Sequence, residues 1–123
     1  MATGLPIFQK GTPLSDNGVN ATGSISFVEI AKITLQINKK YEGLHVNAHS
    51  RIGALLEVVY NDNGVETSKA HTGSDPGKPD PKIIDPDFFL DTTGKTGTQE
   101  LILKFKNFSV LGCVRASIST RQF

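Results

Sequence analysis

Along much of this chain apolar side chains recur at every second position, and that period leaves room for only one kind of regular element. Ile33, Leu35 and Ile37 alternate with Lys32, Thr34 and Gln36, and Leu44, Val46 and Ala48 alternate with His45, Asn47 and His49. Leu101, Leu103 and Phe105 alternate with Glu100, Lys104 and Lys106, and Val110, Gly112, Val114, Ala116 and Ile118 share one side of a last long segment. A helix brings residues onto one face every 3.6 positions, whereas a strand turns successive side chains to opposite faces, so these are strands with one face buried. Ile25 and Phe27, alternating with Ser24 and Ser26, read the same way. At Val28-Glu29-Ile30 the phase slips. A slip of one residue would turn the apolar set outward, so a bulge or short break is expected there.

Residues 51–60 admit two readings. Ile52, Leu55, Leu56 and Val59 fit one helix face, with Ser50 as cap and Gly64 as stop. Val58, Val59 and Tyr60 favour a strand and run into Asn61-Asp62-Asn63-Gly64, a turn sequence followed by Val65-Glu66-Thr67. The strand reading makes this a hairpin.

Two segments break the alternation. In residues 1–24, glycines, prolines and asparagines interrupt any regular element, and only Lys10 and Asp16 are charged. The apolar Leu5, Ile7, Phe8, Leu14 and Val19 are more than a solvated tail needs, so an extended N-terminal arm is expected, lying on its own domain or on a neighbouring subunit. Residues 71–97 hold Pro76, Pro79, Pro81 and Pro86. Proline removes a ladder donor, so an irregular loop is expected here, pinned by Ile83-Ile84 and Phe88-Phe89-Leu90 as one short strand. Strands joined by Asn-Gly-type turns without βαβ alternation predict an all-β, antiparallel β-sandwich, jelly-roll-like, with the arm at 1–24 and one domain at 25–123.

Size and charge narrow the functions. A chain of 123 residues, 37% apolar and 20% charged, can bury its own core. The single Cys113 rules out an internal disulfide, and its apolar surroundings predict a buried, inert thiol. A net charge of +1 gives no long-range field to gather a phosphate backbone or an anionic bilayer, so neither nucleic acid nor membrane is an expected partner. No basic segment leads into an apolar stretch, and no apolar run approaches the ~20 residues of a spanning helix. A cytoplasmic or virion-associated location is expected.

Three arrangements bear on chemistry. His45 and His49 would meet at one metal on a helix, but four strand positions separate them by about 13 Å. What the alternation offers is a polar row, His45, Asn47, His49 and Arg51, able to hydrogen-bond a sugar, a peptide or another subunit, or simply to face water. Asp85, Asp87 and Asp91 bring oxygen ligands of the kind calcium takes, without the glycine and terminal glutamate of an EF-hand, and Asp-Pro pairs also serve as turns. No nucleophile elbow, phosphate-cradling loop or Cys-His pair occurs, so no enzymatic activity is expected. The absence of Trp disfavours a lectin that stacks sugar rings on aromatic platforms.

The expected function is therefore non-catalytic: a β-sandwich subunit that forms a homo-oligomer with itself and with other protein subunits in a larger particle, such as a virion, a capsid decoration, a tail or a fibre. The alternative is a carbohydrate-binding module or lectin, with or without calcium.

Overall fold

A computed structural model describes residues 11–73, 79–107 and 112–123. Eight strands run in order: β1 (Thr12–Asn20), β2 (Val28–Leu35), β3 (Lys40–Ser50), β4 (Ala54–Asp62), β5 (Val65–His71), β6 (Lys82–Asp91), β7 (Gln99–Asn107) and β8 (Val114–Gln122). They form two antiparallel four-stranded sheets, β1-β8-β3-β6 at the front and β2-β7-β4-β5 at the back. Apart from the β4–β5 hairpin, every connection crosses from one sheet to the other, which is the wiring of an eight-stranded jelly roll.

The inward positions are those the alternation marks. Val46, Leu56, Val58, Leu101, Leu103, Phe105, Val114 and Ile118 are fully buried between the sheets. Each large apolar side chain so placed contributes about 1.5–3 kcal/mol relative to exposure. Residues 54–62 are strand, and Asp62 pairs with Val65 around Asn63-Gly64. Both turn residues have positive φ, 50° and 98°, the two-residue turn whose twist matches a hairpin. The expected irregularity in β2 is a bulge: Glu29 faces Lys104 and Ala31 faces Leu103, leaving Ile30 extra.

The ends of the sandwich are closed by buried and part-buried hydrogen bonds. The Tyr41 hydroxyl accepts from Gln36 N–H at 2.7 Å and lies 2.8 Å from Gln122 Oε1. Tyr60 donates to Gln99 Oε1, whose amide donates to Asp62, itself paired with Lys95 at 2.8 Å. At the other end Asn107 Nδ2 donates to Ser50 Oγ and to the Gly53 carbonyl.

Four sequence expectations need correction. Residues 12–20 are regular: β1 pairs with β8 along its whole length, from Thr12–Gln122 to Asn20–Val114. Residues 1–10 lie outside the described ones. The proline-rich segment contains a ten-residue strand, β6, because that strand is at the sheet edge and Pro86 falls in a bulge where Pro86, Asp87 and Phe88 oppose the single Gly43. Ile25, Phe27 and Ile37 are exposed, since β2 starts at Val28 and stops at Leu35 before Asn38, whose φ is +59°. Cys113 is exposed, because it precedes β8 and the inward position is taken by Val114.

Candidate functional site

The outer faces of the two sheets differ in kind. On the back face two ion pairs bridge strands: Lys32 on β2 with Glu100 on β7 at 3.2 Å, and Lys104 on β7 with Glu66 on β5 at 2.8 Å. Asn61 also donates to Glu100, and Glu100 in turn raises the Lys32 ammonium above its ordinary value. Ile102 and Val59 are buried although they point outward between these pairs.

The front face is built as four cross-strand rows, fixed by register. Val19 on β1, Arg115 on β8 and His49 on β3 form one; Asn17, Ser117, Asn47 and Lys82 form the next. Ser15, Ser119, His45 and Ile84 follow, then Pro13, Arg121, Glu42 and Phe89. Backbone bonds from Ala48 N to Pro81 O and Ser50 N to Pro79 O continue the β6 edge, which sets Asp80 beside His49. His49 Nδ1 lies 2.7 Å from the Asp80 carboxylate, and Asn47 Nδ2 lies 3.1 Å from His45 Nε2.

Between these rows run two shallow grooves. One, of about 360 Å³, is lined by Asn17, Val19, Asn47, His49, Arg115 and Ser117, with the backbone of Gly18, Ala48 and Ala116 as its floor. The other, of about 340 Å³, lies at the Gly43 bulge. Pro13, Ile84 and Pro86 give it an apolar rim, with Glu42, His45 and Arg121 alongside. Ile84 is 60% exposed and Phe89, next along β6 past the bulge, 54%, a large apolar exposure for two residues on one strand. Ile84 and Phe89 thus group at one end of the front face, while at the other the exposed Val19 stands among polar groups.

Three members of the predicted row, His45, Asn47 and His49, do stand together on the outer side of β3. Arg51 does not join them, since β3 ends at Ser50 and Arg51 falls in the turn before β4. Asp85, Asp87 and Asp91 all belong to β6; the Asp85 carboxylate accepts Asp87 N–H at 3.0 Å and that of Asp91 accepts Thr93 N–H at 2.9 Å. The bonds from Thr93 hold the Asp91 carboxyl below its ordinary value. Among the described residues no three of His, Cys, Asp and Glu gather as metal ligands, and no helix is long and apolar enough to cross a membrane. Sequence reasoning missed the contributions of β1 and β8. Arg115, Ser117, Ser119 and Arg121 are the alternate set to the apolar Val114, Ala116 and Ile118, so the signal was present, but which strand lies beside β3 is a matter of topology.

No family model matches the chain, and no curated protein matches it. Among solved structures, the structure of infectious bursal disease virus, Gx strain, is similar at a TM-score of 0.46 and 12% identity over 90% of this chain. The chain spans 29% of the length of that viral chain.

Proposed function

We propose that this protein is a non-catalytic β-sandwich subunit that assembles, with copies of itself and other protein subunits, into a larger particle such as a virion, a capsid decoration, a tail or a fibre. The observation that carries this reading is the apolar end of the front face. Ile84 and Pro86 on β6 and Pro13 on β1 line a groove, with the exposed Phe89 further along β6, and apolar side chains grouped so mark a protein contact more often than solvent exposure.

Sedimentation of the wild-type chain in the high micromolar range tests this. The expected result is a defined oligomer that Ile84→Asp combined with Phe89→Asp converts to monomer, with circular dichroism and melting temperature retained. A wild-type chain that stays monomeric, or an oligomer indifferent to both substitutions, overturns it.

A further inference from the structure

The polar end of the front face has no part in that contact, and its composition points to a ligand of its own. Arg115 stands between Val19 and His49 in its row, and among the described residues no carboxylate pairs with it. The contrast is with the back face, where Lys32 and Lys104 each have a carboxylate. Asp80, the acid on the same row, is on the far side of His49 and is engaged with its Nδ1. In the adjoining row Asn17 and Ser117 make no side-chain hydrogen bond among the described residues, and Asn47 bonds only His45.

Amide and hydroxyl groups both give and accept hydrogen bonds, so Asn17, Asn47 and Ser117 suit a ligand whose own groups do both, as sugar hydroxyls do. A guanidinium gives several parallel N–H donors and accepts none, so Arg115 suits a planar or tetrahedral oxyanion. The groove between the rows is two residues wide, about 6.6 Å, open above and floored by the backbone of Gly18, Ala48 and Ala116. No Phe, Tyr or Trp ring lines it. Recognition there rests on hydrogen bonds and one charge, without stacking.

We infer that the groove between the Asn17–Ser117–Asn47 and Val19–Arg115–His49 rows binds an acidic saccharide, its carboxylate or sulfate on Arg115 and its hydroxyls along the two asparagines and Ser117. A site of this size and openness binds weakly as a single copy. On an assembled particle many copies would act together, because linked sites raise avidity without new contacts. The inference does not depend on the assembly reading, since no residue of this groove lies in the apolar contact.

The test is titration of the isotope-labelled chain with three probes: 3′-sialyllactose for the carboxylate, 3′-sulfolactose for the sulfate, and lactose as the neutral control. Amide shifts confined to Asn17, Val19, Asn47, His49, Arg115 and Ser117, at millimolar sialyllactose or sulfolactose and much smaller for lactose, are the expected result. Whichever acidic probe binds identifies the anion. Arg115→Gln should weaken that binding at least tenfold, Arg115→Lys less, and added salt should weaken it in the wild type and hardly at all in Arg115→Gln. Equal binding of lactose, shifts elsewhere on the molecule, no shifts with any probe, or full binding by Arg115→Gln would each overturn it. Arg115 is exposed, so its variants fold, and sedimentation of Arg115→Gln should match the wild type, keeping this result separate from the assembly test.

Discussion

Replacing Gly18 with alanine should loosen a whole edge of the sandwich, although the change adds a single methyl group. Gly18 lies on β1 where that strand crosses over β2, and a β-carbon built there falls far inside contact distance of the Ile30 carbonyl oxygen. The obstacle is backbone, at the bulge of β2, so no rotamer change relieves it. β1 must lift from β2. Overpacking of this kind costs about 1–3 kcal/mol. Lifting also lengthens the bond from Lys32 N–H to the Asp16 carboxylate, now 2.9 Å, for about 1 kcal/mol more at an exposed position. The sum, about 2–4 kcal/mol, corresponds to a fall in melting temperature of roughly 6–20 °C for a domain of this size. Gly73→Ala is the control, because nothing lies within 4 Å of a β-carbon there and its loss of backbone freedom is neutral or stabilising by up to ~1 kcal/mol. Urea unfolding gives the free energies, and hydrogen exchange gives the location: β8 amides bonded to β1 should lose protection while those bonded to β3 keep it. A Gly18→Ala protein within ~0.5 kcal/mol of wild type, the scatter of neutral surface changes, would refute the argument that β1 is clamped at this point.

Two other outcomes follow from the polar groups at one end of the sandwich. Tyr41→Phe takes from the Gln36 N–H and Gln122 Oε1 their partner at the part-buried end of the sandwich, so a loss of about 0.5–1.5 kcal/mol in urea unfolding is expected, and no loss would mean that water replaces the hydroxyl. The Asp62 carboxyl is held below its ordinary 3.8 by hydrogen bonds from Lys95 and Gln99, so the unfolded chain takes up protons first as the pH falls. That stability is full above the ordinary value and is lost as the pH drops through the lower, folded one. The urea midpoint should therefore be flat from about pH 7 to 5 and decline below about 4. Asp62→Asn should decline less steeply, and an unchanged acid slope would remove Asp62 from the account.

The parts of the fold that could be read in the sequence are those whose burial is one-sided and local. β3, β7 and β8 alternate because one face packs on the core and the other does not, and the Asn63-Gly64 turn advertises the hairpin through residues that tolerate positive φ. The edge strands were hidden for a physical reason. β1 buries little, with Leu14 only half-covered and Gly18 contributing no side chain, so its hydrophobic signal is faint. β6 carries Pro86, which argues against a strand until the bulge opposite Gly43 is known. Conversely, Ser24 to Phe27 alternates without being a strand: Phe27 lies out on the surface with the Lys106 ammonium 6.0 Å from its ring. For the candidate site, His45, Asn47 and His49 could be placed on one side from spacing alone. Their neighbours Arg115, Ser117 and Asn17 come from strands 66 to 70 and about 30 residues away, and no local pattern encodes that adjacency.

The weak strand character of β1 and β6 also bears on how copies of this protein would meet. An open sandwich has free edges, and a flat, regular edge strand recruits other strands without limit. Here β1 carries Pro13 and Gly18, β6 is interrupted by a bulge containing Pro86, and the β5 edge alternates Glu66 and Lys69 among polar residues. Each of these features opposes strand addition at an edge. The exposed apolar residues Ile84 and Phe89 project from the outer side of the front sheet, beside His45 and Glu42. Contact through that face, with the β1, β5 and β6 edges blunted, fixes a definite geometry between subunits, because side chains interlock in one register where backbone ladders can slide by two. On the assembly reading proposed above, growth is then limited by the symmetry of one face rather than left open-ended, as a particle of defined size requires.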